Sequence, residues 1–218
     1  MQQSVKTACQ MLVMIGLMSV VETSAQRFDS LFRTMPYFDK YYGGGAMLSV
    51  PLSNRSFLSN PTTRGGRFFY REMLNDRVSA GFDVTFAGYN DYSPPQVYQS
   101  SNSAVYTDFF NYVNQFTVSV AGEYLFRPEG RVIPFAGAGL GATYSSVRIY
   151  YNIYDDRETK WAVLLRPHAG ALVRFGTRTS WGAFASATFD YTFLKMPNFD
   201  YNGFATLALQ AGLVYMNW

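Results

Sequence analysis

Cysteine and histidine are almost missing from this chain: one of each is present, Cys9 and His168. A single thiol excludes an internal disulfide framework and a thiolate metal cluster. A single imidazole leaves one ordinary proton shuttle near neutral pH. Charge of one sign is scarce as well. The 18 Lys and Arg residues against 15 Asp and Glu give a net charge of +3, too small for a nucleic-acid footprint, so no nucleic-acid partner is expected. Beyond Val21 no stretch stays apolar for the ~18 residues that a membrane-crossing helix needs, which excludes a helical membrane protein. Neither a phosphate-binding glycine loop nor a cysteine-histidine cluster occurs, so no cofactor and no metal are expected.

Aromatic residues are plentiful, at 18%, and the chain has a period of two. The clearest stretch is Trp161 to Phe193. Trp161, Val163, Leu165, Pro167, Ala169, Ala171, Val173 and Phe175 form one apolar set, and Arg166, His168 and Arg174 fall in the alternate set. After the turn Gly176 to Ser180, Trp181, Ala183, Ala185, Ala187, Phe189, Tyr191 and Phe193 repeat the apolar face, with Asp190 opposite. This predicts a long hairpin with one greasy and one mixed face. A soluble sandwich or lipocalin-like barrel would favour Leu, Ile, Val and Phe on its apolar face. Here that face is rich in Ala, with Trp, Tyr and Phe near the strand ends, the pattern of a membrane barrel with aromatic girdles.

Residues 1–25 read as a signal peptide, with Lys6, an apolar run from Met11 to Val21 and small residues at Thr23-Ser24-Ala25. The run is too short for a membrane anchor, and Cys9 precedes it, which does not suit a lipid anchor. Residues 26–40 have no clean period and are expected to form a periplasmic extension. Residues 41–218 carry the alternation. It is clear in Tyr41–Leu52, Val78–Phe86, Phe116–Phe126 and Val132–Tyr144, weakest in Arg67–Leu74, and returns in Phe204–Trp218. With the opening hairpin this makes eight strands. Asn75-Asp76, Arg127 to Arg131 and Gly176 to Ser180 are short connections. Ser53 to Gly66, Asn90 to Asn111, Tyr154 to Lys160 and Lys195 to Gly203 are read as longer loops. Short and long connections alternate as periplasmic turns and external loops do. The expected fold is therefore all-β: an eight-stranded antiparallel up-and-down transmembrane β-barrel, with the strands at residues 41–53 and 204–218 closing the ring.

Two stretches carry a resemblance. Arg131-Val-Ile-Pro-Phe-Ala-Gly-Ala-Gly-Leu-Gly-Ala-Thr-Tyr144 resembles a strand of small eight-stranded outer-membrane proteins of the OmpA, OmpX and OmpW type. Gln210, Gly212 and Tyr215, followed by Trp218, are similar to the C-terminal assembly signal of outer-membrane barrels. Trp218 stands one residue beyond the usual second aromatic. The resemblance implies location in the bacterial outer membrane, contact with outer-membrane lipid, and handling by the barrel-assembly machinery. With the last strand reaching Trp218, no peptidoglycan-binding domain is expected to follow.

The candidate site is a cluster of charges on the inner face: Asp83, Glu123, Arg166, His168, Arg174 and Asp190. Counting from the turn places Asp190 opposite Arg166 and diagonal to His168, so these three are expected to meet as a structural lock. The inner glycines Gly137, Gly139 and Gly141 would either mark a cavity or admit large residues from across the lumen such as Phe184; the second is favoured, because an eight-stranded interior is just wide enough to be filled. Lipid-modifying barrels use His with Ser, but His168 is followed by Ala169-Gly170 and lies well inside its strand, so no catalytic residue is expected. The favoured role is structural or interaction, as a surface protein or an accessory subunit of an envelope or secretion assembly. A narrow transport barrel for small or apolar solutes comes second, and a lipid-modifying enzyme third.

Overall fold

The computed structural model describes residues 38–55, 57–100, 103–151, 154–176, 179–196 and 201–217. The expected signal peptide and most of the expected periplasmic extension lie outside them. Eight strands follow in chain order: β1 (Lys40–Pro51), β2 (Gly65–Met73), β3 (Val78–Ser100), β4 (Ser103–Leu125), β5 (Val132–Tyr151), β6 (Tyr154–Arg174), β7 (Trp181–Met196) and β8 (Tyr201–Asn217). Each pairs antiparallel with its neighbours, and β8 pairs with β1 from Lys40↔Asn217 to Pro51↔Thr206, so the barrel is closed. Closure leaves no unpaired edge for lipid to meet, which is the condition for a sheet to exist in hydrocarbon.

Alternation decides which residues face out. Leu140, Trp161, Val163, Leu165, Leu209 and Leu213 are exposed on the outside, whereas Leu164, Arg166 and Leu172 are buried within. Exposing that much apolar surface to water would be costly, and a bilayer removes the cost. Aromatic side chains form two belts. Tyr42 stacks on Tyr215 at 5.3 Å, Trp181 meets Tyr215 edge-on at 5.3 Å, and Tyr124 and Phe126 continue the belt near the short turns. Phe86, Phe116, Tyr144 and Trp161 stand in the other belt, with Tyr144 and Trp161 5.3 Å apart. Rising about 3.3 Å per residue on a strand tilted about 40°, the stretch from Phe116 to Tyr124 spans about 20 Å, close to the hydrophobic height of an outer-membrane barrel.

Two expected loops turn out to be strands. The stretch read as a loop over Asn90–Asn111 continues β3 and β4 as one long hairpin, from Asn90↔Tyr112 to Ser100↔Ser103. Its tyrosines, taken as loop composition, are favourable strand residues. Pro94 and Pro95, which cannot donate to a ladder, sit at a register shift between Ser93 and Gln96. Likewise Tyr154–Lys160 is the first part of β6. The loop over Lys195–Gly203 is shortened at both ends, because β7 reaches Met196 and β8 starts at Tyr201.

The interior is stacked in three zones. At the short-turn end, Phe38, Tyr41, Phe69, Phe135, Phe184 and Met216 belong to one apolar cluster. Phe38, from the expected extension, is buried there. At the other end Met47, Tyr89, Val113, Phe204 and Leu58 belong to a second cluster. Leu58 comes from the β1–β2 connection, which folds into the barrel mouth and is pinned by the Ser49–Thr62 bridge. A polar zone lies between the two clusters.

Ring closure is testable through Ala211, which faces Ala46 on β1 and Ala185 on β7. Cysteines at 46 and 211 should form a disulfide, since facing Cα atoms lie within the usual ~4.4–6.8 Å. Cysteines at 46 and 185, two strands apart, should not. A non-reducing gel of the unheated protein distinguishes the pairs, and cross-linking of the second pair alone would break the strand order.

Candidate functional site

The polar zone is assembled by register. Glu123 of β4 faces Gly137 of β5, which in turn faces His168 of β6. A side chain at Gly137 would bring a Cβ to 2.8 Å from Glu123 Cγ and 2.3 Å from the Gly122 carbonyl oxygen. Its absence lets the two flanking side chains meet over the bare strand, where His168 Nε2 donates to Glu123 Oε1 at 2.9 Å. Arg71 Nε donates to the same oxygen at 2.9 Å, and Tyr41 Oη donates to Oε2 at 2.6 Å. Arg71 also reaches Asp83, with Nη2 3.0 and 3.1 Å from its two oxygens, and Nη1 donates to the Tyr70 and Phe82 carbonyls. Arg67 holds Asp83 Oδ1 through Nε at 3.0 Å and Nη2 at 2.7 Å, and donates to Gln210 Oε1 at 2.9 Å. Higher in the lumen, Arg166 makes a two-pronged pair with Asp190, both contacts at 2.7 Å, and donates to Thr85 Oγ1 at 2.8 Å.

These contacts oppose three guanidiniums, Arg67, Arg71 and Arg166, with three carboxylates, Asp83, Glu123 and Asp190. The side chains of Arg71, Arg166 and Asp83 have no solvent exposure. A charge taken out of water is tolerable only when paired and hydrogen-bonded, and the two-pronged arginine geometry supplies both. The arginine planes also lie against carbon: Arg67 and Arg71 stand 5.2 and 5.8 Å from the Phe69 ring centre.

Several expectations need correction. Arg166 does meet Asp190, but His168 does not: its Nε2 partner is Glu123, reached over the gap at Gly137. Arg174 stands apart from the cluster, near the short-turn end, with its guanidinium 5.1 Å from the Phe38 ring centre and Nη2 donating to the Pro128 carbonyl. Neither reading of the inner glycines holds. Gly137 and Gly141 admit the adjacent strand β4, with Glu123 and Ser119 in the space a Cβ would take. Phe184 instead packs edge-on against Phe69 at 4.9 Å. Arg67, Arg71 and Tyr41 were missed. They lie on or beside the strand with the weakest alternation, because its inner face mixes Arg67 and Arg71 with Phe69 and Met73. The available signal was two arginines four apart on one strand, hence on one face.

Gln210 faces in and joins this network, whereas Tyr215 faces out in the lower aromatic belt. Gly212 is bare where β1 approaches: a Cβ there would sit 2.2 Å from the Gly44 carbonyl oxygen. Trp218 lies outside the described residues. Ser186, which faces in on β7, bonds to Arg67 and Gln210 and not to His168. Among the described residues no group of three His, Cys, Asp or Glu could hold a metal ion.

Closed, apolar outside and charged within, the chain is a transmembrane β-barrel of the outer-membrane kind. No protein-family model matches it, and no curated protein matches its sequence. Among solved structures it is similar to the attachment invasion locus protein Ail of Yersinia pestis, determined in complex with the heparin analogue sucrose octasulfate. The identity is 15%, over 83% of this chain and 100% of that one, with a TM-score of 0.47. It is also similar to Neisserial surface protein A, at 17% identity over 81% and 96% of the two chains and a TM-score of 0.49. A third likeness is to outer membrane protein OprG of Pseudomonas aeruginosa, at 10% identity over 85% and 98%, with a TM-score of 0.46.

The network ranks its members by how many donors each would leave stranded. Glu123→Ala removes the acceptor that Tyr41, Arg71 and His168 share and should destabilise the folded barrel by about 3–5 kcal/mol. Asp190→Ala leaves Arg166 only Thr85 and should cost about 3 kcal/mol, less if water enters beside the partly exposed carboxylate. His168→Gln keeps a donor and should be mild. Urea unfolding in lipid vesicles, followed by tryptophan fluorescence, reads all three; wild-type stability in Glu123→Ala would show that the network is not structural.

Proposed function

We propose that this chain is an integral outer-membrane β-barrel with a structural or interaction role, either a surface protein or an accessory subunit of an envelope or secretion assembly. One observation carries the reading: the lumen is filled, with a charge-balanced network between two apolar clusters. A transport barrel needs a path, and an eight-stranded ring has little room for one once its side chains are placed. An enzyme needs a reactive group within reach of substrate, and His168 is buried against Glu123. What remains accessible is the outside, in particular the β3–β4 and β5–β6 hairpins that project past the upper aromatic belt.

In this reading residues 1–25 are a cleaved signal peptide and residues 26 to about 40 a periplasmic lead into β1. Gln210, Gly212, Tyr215 and Trp218 are the signal that the barrel-assembly machinery reads. No residue is assigned a catalytic role. Asp83, Glu123, Arg166, His168 and Asp190, together with Arg67 and Arg71, hold the lumen shut, while Arg174 seals the short-turn end against Phe38.

Two measurements test this. In planar bilayers the reconstituted protein should give no large, steady conductance; a stable porin-sized current would favour the transport reading. Mild-detergent purification from native membranes should bring down envelope proteins with the barrel. A barrel that elutes alone and hydrolyses or transfers acyl chains, with the activity lost in His168→Gln, would replace the interaction role with the enzymatic one.

A further inference from the structure

The connection between β1 and β2 crosses the upper mouth of the barrel with both of its feet tied to the ring. At the first foot the Leu52 N–H donates to the Ala205 carbonyl at 2.8 Å, and the Ala205 N–H donates to Ser53 Oγ at 2.8 Å. Asn54 Nδ2 donates to the Gly203 carbonyl at 3.0 Å. At the second foot Thr62 exchanges two backbone bonds with Ser49, both at 2.8 Å. Thr62 Oγ1 donates to the Gly88 carbonyl at 2.7 Å, and the Gly88 N–H donates to the Arg64 carbonyl at 2.8 Å.

The tip, residues 57–60, is held differently. The Asn54 carbonyl accepts from both the Phe57 and Leu58 N–H groups, which makes the tip one compact turn. Leu58 points from it into the mouth with no exposed surface, in one cluster with Met47, Ala87, Tyr89 and Val113. Beside Leu58 three bonds converge on one carboxylate. Asp91 accepts from the Ser59 N–H at 2.5 Å, from Ser59 Oγ at 2.7 Å and from Asn60 Nδ2 at 2.7 Å. Asn111 Nδ2 donates to the Phe57 carbonyl at 3.0 Å. Asp91 and Asn111 are direct cross-strand partners on the β3–β4 hairpin, so one rung grips the tip on both sides of Leu58. A bond to a charged acceptor is the stronger kind, so Asp91 is a firmer hold than Asn111. The bonds to Asp91 are exposed to water, whereas the feet are held by backbone bonds to β1, β3 and β8. Segments secured by exposed bonds open locally well before the sheet does. Asn54, in the left-handed region at φ 54°, supplies a bend at the first foot, and asparagine tolerates that conformation.

We propose that residues 57–60 are a stopper that swings outward between two fixed feet, with Asp91 as its latch. Latched, Leu58 fills the mouth. Released, the tip withdraws Leu58 and opens an apolar cup, floored by Met47, Tyr89 and Val113, to the outside. The charged zone below stays closed, so the opening exposes a surface and not a channel. This device goes beyond the structural or interaction role and does not depend on it.

The test uses the full protein with Cys9→Ser and Ala87→Cys, which places a single thiol in the cluster that Leu58 closes. In lipid vesicles a water-soluble methanethiosulfonate should label this thiol slowly. Adding Asp91→Ala should raise the labelling rate about tenfold or more, because the rate follows the population of the open form. Asp91→Asn, which keeps one carbonyl acceptor, should raise it less. Hydrogen exchange on the same proteins reads the hinge: in Asp91→Ala the Leu58 and Ser59 amides should lose protection while those of Leu52 and Thr62 keep it. An unchanged labelling rate in folded Asp91→Ala, with folding checked by heat-dependent gel migration, overturns the latch. If that variant does not fold, Asp91→Asn decides, and a rate equal to that of the parent overturns the latch. Exchange of the Leu52 and Thr62 amides together with the tip overturns the fixed feet. A steady conductance in Asp91→Ala overturns the closed floor.

Discussion

Everything inside this barrel depends on one constraint: charges removed from water must cancel within contact distance. Arg71 lies at the centre of the solution. It binds Asp83 and Glu123 at once, and its remaining donors are spent on two backbone carbonyls. Arg67 then shares Asp83, while His168 and Tyr41 share Glu123. Such a network adds little to stability compared with well-packed apolar residues, since the desolvation of its members offsets most of their attraction. What it does supply is register. Tyr41–Glu123, Arg71–Glu123 and His168–Glu123 each reach past a neighbouring strand, and a slip of one residue on any strand would turn its charged group toward the lipid.

Backbone shape and side-chain chemistry are coupled through the bare positions. Gly137 has no role of its own in the network, yet Glu123 and His168 meet only because their shared neighbouring strand is empty at that point. Gly45 and Gly81 are also bare on the inner face, each facing an arginine, Arg67 and Arg71, across one ladder. Gly45, Gly81 and Gly137 thus stand beside charged groups, whereas Gly141 admits Ser119.

The fold was legible in the sequence because alternation and connection length are local properties. Eight strands, their faces and their closure follow from counting by twos. The hairpin register was legible too, since Arg174 faces Gly182 and His168 faces Thr188 as counting from the turn requires. What escaped was everything that depends on curvature. Which inner side chain meets which across an eight-stranded ring is set by tilt and coiling, so the partner of His168 could not be counted out along β6 and β7 alone. Leu58 escaped for a different reason: a turn-rich connection gives no sign that it folds back into the mouth. The projecting hairpins escaped because tyrosine, serine and proline together read as loop composition, although the backbone there is paired.

Those hairpins carry a consequence in how the sheet ends. The ladder between β1 and β2 stops at Ala46 and Gly66, and that between β2 and β3 at Gly65 and Ala87, beside Phe86 of the upper belt. Strands β3 to β6 continue past that level, from a ring into an open, curved panel. An edge is intolerable in hydrocarbon but harmless in water, where solvent satisfies the free N–H and C=O groups. The level at which the ring opens is therefore a waterline drawn by hydrogen bonding, found without reference to any side chain. It agrees with the level that the aromatic residues mark. Above it, among the described residues, the backbone that rises furthest is that of the β3–β4 hairpin, with β5 and β6 beside it, so what meets this flank from outside meets a wall rather than a rim.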